Sequence, residues 1–128
     1  MPKKSLGVMT ESMFYTIMAF HSGPRCGTEI SDFVERLTDG RVQLGPGTLY
    51  TILSKFQEVG YLREIAVEGR KRTYELTREG QTAYRNEILR LNQCLKDAGR
   101  MEAFAVQEEG NPHAGKNEKT GPAAVPAL

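Results

Sequence analysis

The sequence predicts a mainly α-helical fold that includes one small β-hairpin and ends in a long helix. Three observations predict it. Apolar residues recur at helical spacing in three stretches of the first half. Two short runs rich in aromatic and β-branched residues follow, joined by a Gly-containing connection. A seam of apolar residues with alternating spacings of four and three comes last, which is typical of a helix that packs against another helix.

Composition narrows the class of protein. The chain has 128 residues and a formal net charge of only +1. A chain this short supports a single small core, which is often completed by oligomerisation. Its balanced charge means that any nucleic-acid partner has to be bound by a local patch. No segment has the apolar length of a signal peptide core or a membrane span, so we expect a cytoplasmic protein with no membrane partner.

The sequence lacks the residue patterns of several kinds of functional site. Cys26 and Cys94 have neither a C-x-x-C spacing nor a neighbouring pair of histidines, so we expect two reduced thiols and no metal site. The sequence also has no Gly-rich phosphate-binding loop and no Ser/His/Asp arrangement. We therefore predict that the protein is not an enzyme and uses no cofactor.

The first helix is expected to begin at a cap supplied by Thr10 or Ser12 and to end near His21, after a flexible N-terminal arm over residues 1–9. Its apolar residues cover a wide arc, which is typical of a helix that contacts both its own core and a partner subunit. These apolar residues are Met13, Phe14, Ile17, Met18 and Phe20. We expect Met13 and Ile17 to contribute to a dimer interface.

The second helix is predicted over about Gly27–Leu37, where apolar residues recur at i, i+3, i+4 and i+7. Gly40 suits the position just past its end, because glycine adopts the left-handed conformation that ends many helices. The link Arg41–Leu44 alternates apolar and polar residues, which favours one short extended segment.

The third helix lies within Leu44–Gly60, between a Gly-Pro-Gly start and a Gly end. Its apolar side predicts a core contact and comprises Leu49, Ile52, Leu53, Phe56 and Val59. Its other side presents hydroxyls, an aromatic ring and a cation. The candidate contact residues on that side are Gly47, Thr48, Tyr50, Thr51, Ser54 and Lys55. Glu58, near the end, is expected to be solvated surface.

The hairpin is predicted from Tyr61–Val67 and Arg72–Leu76, with residues 68–71 as the connection. Leu62, Tyr74 and Leu76 are expected to face the helices. The alternation is imperfect at residues 65–67, so the sequence leaves the register there open. The connection and the next residue carry the densest positive cluster of the predicted fold, Arg70, Lys71 and Arg72.

The last helix is predicted over residues 77–106, with Thr77 as its cap. Its seam is too short for an independent coiled coil but long enough to pair with another helix. We expect this seam to form a dimer interface through Tyr84, Ile88, Leu91 and Leu95, with Ala98 continuing it. Residues 107–128 are rich in Gly, Pro, Asn and charge without any period, which predicts a disordered tail.

Three helices followed by a hairpin with a charged tip form the winged helix-turn-helix arrangement, here over residues 10–76. In that arrangement the third helix enters the DNA major groove with its N-terminal residues first. Basic residues on a turn are by themselves ordinary surface. Their combination with a hydroxyl-lined third helix favours a double-stranded DNA partner. A winged-helix module that binds protein and not DNA, as an adaptor, stays open as the alternative.

The run LGPGTLYTILSKFQEVGYL at residues 44–62, followed by EGRKRTYELTREG at residues 68–80, resembles the PadR family of bacterial transcriptional regulators. The matching motifs are Gly47-Thr48-Leu49-Tyr50, Gly60-Tyr61-Leu62 and Arg72-x-Tyr74-x-Leu76-Thr77-x-x-Gly80. The short C-terminal region resembles the smaller members of this family. The resemblance spans roughly residues 10–95 and implies a winged-helix homodimer that binds a pseudo-palindromic operator, usually as a repressor. By position, Thr48, Tyr50 and Thr51 then belong to the DNA-contacting helix, and Arg70–Arg72 to the wing.

Some PadR family members are released from DNA by aromatic acids or cationic drugs, so the resemblance leaves a small-molecule effector open. The best-known drug-binding type stacks its ligand on a tryptophan, and this chain has none. Met13, Phe14, Tyr15 and Met18 are candidates to line a cavity, although such spacing is more typical of core packing. No ligand follows from these residues.

Overall fold

A computed structural model describes residues 6–109 and confirms the predicted fold class, with four helices and a small antiparallel sheet in that part of the chain. The elements in order are α1 (Glu11–Met18), β1 (Arg25–Cys26), α2 (Gly27–Leu37), α3 (Pro46–Glu58), β2 (Leu62–Glu68), β3 (Lys71–Leu76) and α4 (Arg78–Glu109). The chain divides into two compact units, Met1–Glu87 and Ile88–Leu128. None of the described helices is long and apolar enough to cross a membrane.

Two apolar residues that precede α1, Leu6 and Met9, pack on the domain. Met9 is buried, and the backbone N–H of Leu6 donates a hydrogen bond to the Tyr61 hydroxyl at 3.5 Å. Leu6 packs against the same core, whereas Val8 is 64% exposed. The flexible arm over residues 1–9 stays a prediction, in which Leu6 and Met9 contact the domain. Residues 1–5 of the predicted arm lie outside the described part of the chain.

Thr10 caps α1, as its sequence position predicts, and accepts a hydrogen bond from the Met13 N–H at 3.1 Å. The helix ends at Met18, three residues before the predicted end at His21. The chain tightens there into turns, in which the N–H groups of Phe20 and His21 donate to carbonyls three residues earlier. This tighter winding leads the chain into β1.

The strand order is β1-β3-β2, and both pairings are antiparallel. β1 was not predicted, because two residues carry no period. The predicted extended segment at residues 41–44 forms no strand, although Val42 and Leu44 are buried. The register of β2 and β3 shifts between Glu64 and Ala66, which accounts for the imperfect alternation in that stretch.

Both strands of the hairpin reach one residue closer to the turn than predicted. β2 begins at Leu62 and ends at Glu68, and β3 begins at Lys71, so the turn contains only Gly69 and Arg70. Gly69 has a φ of 63°, a conformation that two-residue hairpin turns require and glycine adopts without strain. The inward-facing residues are as predicted: Leu62 and Tyr74 are buried, and Leu76 packs against the same core.

The core of the first unit lies between α1, α2, α3 and the inner side of the hairpin. Its largest fully buried side chains are Phe56, Ile17, Ile30, Leu53, Val34 and Thr16. α3 contributes the predicted apolar side, and Gly60 follows the helix with a φ of 85°. Arg41 attaches the link before α3 to α1, because its guanidinium donates to the Glu11 carboxylate at 3.0 Å and to the Tyr15 hydroxyl at 2.9 Å.

Thr77 joins the end of α3 to the start of α4. Its hydroxyl donates to the Gly60 carbonyl at 2.6 Å, and the Gly80 N–H donates to the Thr77 hydroxyl at 3.0 Å. α4 continues to Glu109, three residues past its predicted end, and Gly99 does not interrupt it. Residues 110–128 of the predicted disordered tail, including His113, lie outside the described residues.

Candidate nucleic-acid interface

α3 divides its side chains between the core and the surface. Leu49, Ile52, Leu53 and Phe56 are buried on one side. The other side is exposed, and we call it the α3 surface: Gly47, Thr48, Tyr50, Thr51, Ser54 and Lys55. The burial of one side fixes the rotation of the helix about its axis, so all the predicted contact residues on α3 face outward together.

The N-terminal end of α3 presents backbone donors. Gly45 occupies the cap position and Pro46 the first turn, and no side chain of the described residues caps this end by a hydrogen bond. The first N–H groups of a helix have no acceptor within the helix. Together with the helix dipole, such groups suit an anionic oxygen such as that of a phosphate.

Tyr50 lies where α3, the start of α2 and the sheet meet. It is 51% exposed, and its hydroxyl oxygen reaches the backbone of Gly27. Burial, and then the charge of Glu64, raises the pKa of the buried Tyr74 of β3, while the charge of Arg72 lowers it. Tyr50 is therefore an exposed residue of α3 that also contacts the start of α2.

The hairpin cations are not equivalent in the structure. The Arg72 guanidinium donates to the Glu64 carboxylate at 2.9 Å, and this hydrogen bond raises the pKa of Arg72. Lys71 is exposed and lies close enough to Glu29 to contribute to the lowered pKa of that carboxylate. Arg70 occupies the turn, fully outside the strands, and forms no ion pair within residues 6–109. The predicted cluster of three cations thus contains one free cation at the tip and two with acidic neighbours.

The start of α2 is a part of this surface that the sequence did not indicate. Thr28 is exposed beside Gly27, and the Cys26 N–H donates to the Glu29 carboxylate at 2.9 Å. That hydrogen bond is the largest cause of the lowered Glu29 pKa. Gly27 begins an amphipathic helix, which is a weak signal, and only its contact with Tyr50 shows that the start of α2 lies beside the α3 surface.

The predicted dimer residues of the first unit differ in accessibility. Ile17 has no exposed surface, because the core of its own subunit encloses it; we therefore exclude it from the predicted interface. Met13 and Tyr84 are half-buried and keep some surface. The Tyr84 ring lies 5.7 Å from the ring of Phe14 and 6.1 Å from that of His21. Phe14 and Tyr15 also pack on the core, as the core interpretation of these residues predicts.

In the second unit, the predicted seam residues Ile88 and Leu91 are half-buried, and Leu95 is exposed at 36%. Leu89, two positions from Leu91 and so on the opposite side of the helix, is 66% exposed. Cys94 is exposed and Cys26 is buried, and both are free thiols.

The three helices, the hairpin and the polar α3 surface define a winged-helix protein. A family model described as "Transcriptional regulator PadR-like family" matches residues 17–86, which is more than half of the chain. The chain therefore belongs to the PadR-like family of transcriptional regulators, a family of regulators and not of enzymes. A search of curated proteins finds no match.

Solved structures share the fold at low sequence identity. A transcriptional regulator from Clostridium thermocellum is 23% identical, with a TM-score of 0.62 over 69% of this chain and 89% of that one. A PadR-like transcription factor from Bacteroides fragilis is 18% identical, with a TM-score of 0.61 over 70% and 88%. Bacillus subtilis PadR in complex with operator DNA is 16% identical, with a TM-score of 0.54 over 60% and 46%.

Proposed function

We propose that this regulator binds a specific DNA operator through the α3 surface, with the hairpin tip bound to the adjacent backbone. The observation that carries the proposal is the arrangement of α3 itself. Its apolar side is buried in the core, while its hydroxyl groups, Tyr50 and Lys55 are exposed together. A helix held in this way can enter the major groove without disturbing the core.

The exposed groups suit the two kinds of contact that DNA offers. The hydroxyls of Thr48, Thr51 and Ser54 can hydrogen-bond base edges or phosphates, and Lys55 can neutralise a phosphate. The uncapped N–H groups at the start of α3 suit a phosphate as well. Arg70, at the hairpin turn, supplies a cation to the backbone or the minor groove. Bacillus subtilis PadR, which shares this fold, has been solved in complex with operator DNA, and this supports a DNA partner for the present chain.

The finer features of the proposal follow from the family resemblance and from α4. We infer a cytoplasmic homodimer that represses transcription from a pseudo-palindromic operator, because two copies of α3 related by a two-fold axis match two half-sites. Leu91 and Leu95 of the second unit, and Met13 and Tyr84 of the first, keep accessible apolar surface for a partner subunit. A small-molecule effector remains part of the proposal without an assigned ligand or site.

Selection from random double-stranded DNA tests this function. The full chain is incubated with the pool, bound fragments are enriched, and the affinity for the enriched duplex is compared with that for a shuffled duplex. We expect a two-fold symmetric site to be enriched. Thr51→Ala should reduce the preference for that site by about tenfold, since one base contact contributes about 1–3 kcal/mol.

Glu58→Ala is the matched control, because Glu58 is an exposed residue at the far end of the same helix. It should bind the selected duplex like the native chain. Failure to enrich any sequence, with the protein folded, would contradict the proposal and favour the adaptor alternative, in which the same surface binds protein.

A further inference from the structure

Gly27, the first residue of α2, lies against the phenol ring of Tyr50 on α3. A Cβ atom at this position would stand 2.9 Å from the Tyr50 hydroxyl oxygen, 3.3 Å from Cζ and 3.4 Å from Cε1. The first distance is shorter than a carbon–oxygen contact allows. Gly27 is buried and its backbone is helical, so its conformation suits any residue. The contact with Tyr50, and not the backbone, is what requires glycine here.

Tyr50 has the properties of a residue that binds a partner. Half of it is exposed, and its hydroxyl forms no hydrogen bond within residues 6–109. Two other tyrosine hydroxyls do bond inside the protein: that of Tyr15 accepts from Arg41, and that of Tyr61 accepts from Leu6. The Tyr50 hydroxyl therefore remains available to donate to an external acceptor.

We propose that Gly27 is a positioning residue for DNA binding. Because it has no side chain, the Tyr50 ring can lie against the start of α2, and this placement sets where the Tyr50 hydroxyl donates to a phosphate oxygen. Gly27 itself does not contact DNA. The inference rests on the proposed function and assigns to α2 a role in shaping the α3 surface.

If the proposal is right, Gly27→Ala should weaken DNA binding without preventing folding. The atoms that a new Cβ would meet are at the far end of the Tyr50 side chain, which can rotate outward. Alanine also has a higher helix propensity than glycine. Gly27→Ala should therefore fold with a thermal midpoint within about 4 °C of the native value. Its Tyr50 ring, however, should be displaced from the start of α2.

A double-mutant cycle on the full chain tests the proposal, with affinity for the selected operator as the measurement. Tyr50→Phe should weaken binding about tenfold, the effect of losing a hydrogen bond to a charged group. Gly27→Ala should weaken it by a similar factor. The double variant should bind like Tyr50→Phe alone, because without the hydroxyl the added methyl group displaces no contact to DNA.

Gly99→Ala is the matched control, since it adds the same methyl group to a helix where nothing lies within 4 Å. It should leave operator affinity unchanged. Nuclear Overhauser contacts between the Tyr50 ring protons and the Gly27 α-protons provide a second measurement that needs no variant. They should be present both in the free protein and in the DNA complex.

Three results would overturn the proposal while leaving the DNA-binding function intact. Gly27→Ala could bind the operator like the native chain. Its effect could be the same in the Tyr50→Phe background, which would show that it acts independently of the hydroxyl. The contacts between Gly27 and Tyr50 could be absent from the complex. If the native chain itself selects no operator, the proposed function fails, and this inference fails with it.

Discussion

The Glu64 carboxylate accepts a hydrogen bond from the Arg72 guanidinium at 2.9 Å, between the two strands of the hairpin. Both residues lie on the side of the hairpin that carries Tyr74, because side chains alternate along a strand. A second pair, Arg63 with Glu75, lies on the opposite side. Two arginines of the hairpin, Arg63 and Arg72, are thus paired with its own carboxylates. The remaining positive charge of the hairpin is at Arg70 and Lys71.

Removing the Glu64 charge should strengthen DNA binding. In Glu64→Gln, Arg72 is released and a carboxylate that repels phosphate is lost. We expect affinity for any duplex to rise several-fold, with a salt dependence steeper by about 0.9 for one added phosphate contact. Measurement of affinity against salt concentration, for specific and shuffled duplexes, checks this.

Glu75→Gln is the control, since it breaks the equivalent pair on the other side of the hairpin. It should change affinity by less than about twofold, because Arg63 and Glu75 lie on the side of the hairpin opposite to Arg72. Equal gains in both variants would show that net charge, and not the position of Arg72, determines the effect.

Arg70 at the hairpin turn should contribute affinity without specificity. Arg70→Ala removes the free cation of the tip, so binding to specific and shuffled duplexes should weaken by the same factor. The slope of log affinity against log salt should fall by about 1. Arg36→Ala, an exposed arginine of α2, is the comparison and should leave the slope unchanged. A selective loss of specific binding in Arg70→Ala would instead indicate a base contact.

Leu91 tests the proposed dimer. A glutamate at this half-buried position would bury a charge in a subunit interface, so Leu91→Glu should sediment as a monomer. Operator affinity should fall on the order of 100-fold, because the two half-sites are no longer bound together. Leu89→Glu, on the opposite side of the helix, should remain dimeric. A fully dimeric Leu91→Glu protein would contradict the predicted seam.

Gly80 is a packing requirement of the fold. A Cβ atom there would overlap the backbone carbonyl oxygen of Tyr61 and lie 2.7 Å from the Leu76 side chain. Since backbone cannot rotate away, Gly80→Ala should lower the free energy of unfolding by about 2 kcal/mol or more. Urea unfolding measures this. Gly99→Ala, which meets no neighbour, should be neutral or slightly stabilising; an equal loss in both would rule out the contact as the cause.

Glu29 should make the stability of α2 depend on pH. The hydrogen bond from the Cys26 N–H, and then the charges of Lys71 and Arg25, hold the Glu29 pKa below its ordinary value of 4.5. A carboxylate with a lowered folded-state pKa stabilises the fold above that ordinary value and loses its contribution as pH falls through the lowered pKa. Glu29→Gln should therefore be less stable than the native chain at pH 7. The difference should disappear in acid.

Urea midpoints between pH 7 and pH 2.5 measure this effect. Glu35→Gln, on the same helix, provides the comparison. A native and a Glu29→Gln profile that stay parallel across this range would show that the hydrogen bond to Cys26 does not depend on the charge.

The sequence predicted the elements that have a period or a clear boundary. α2 and α3 show a helical apolar pattern between glycines, and Tyr74 alternates with polar neighbours in β3. β1 has only two residues, so no pattern could reveal it. Its pairing with β3 brings the start of α2 to the α3 surface, and the Gly27 contact with Tyr50 was therefore not predictable.

The structure revises the predicted roles of two site residues, Ile17 and Arg72, because each role depends on three-dimensional packing. The wide apolar arc of α1 could not show which side meets a partner, and Ile17 proved to be enclosed by its own subunit. The pairing of Arg72 with Glu64 depends on the register that places Glu64 opposite Tyr74, and the sequence left the register of this hairpin open. The exposed residues of α3 could be predicted without knowledge of the packing, because the apolar pattern of the helix identifies its buried side and therefore also its exposed side.

Affinity for the selected operator and for a shuffled duplex, each measured from low to high salt, tests the central claim most directly. A regulator that uses the α3 surface and the hairpin tip should bind both duplexes less tightly as salt rises and prefer the operator throughout. Thr51→Ala should reduce that preference about tenfold, and Arg70→Ala should reduce the slope. Binding that is independent of salt, or a preference that Thr51→Ala and Tyr50→Ala leave unchanged, would contradict the account.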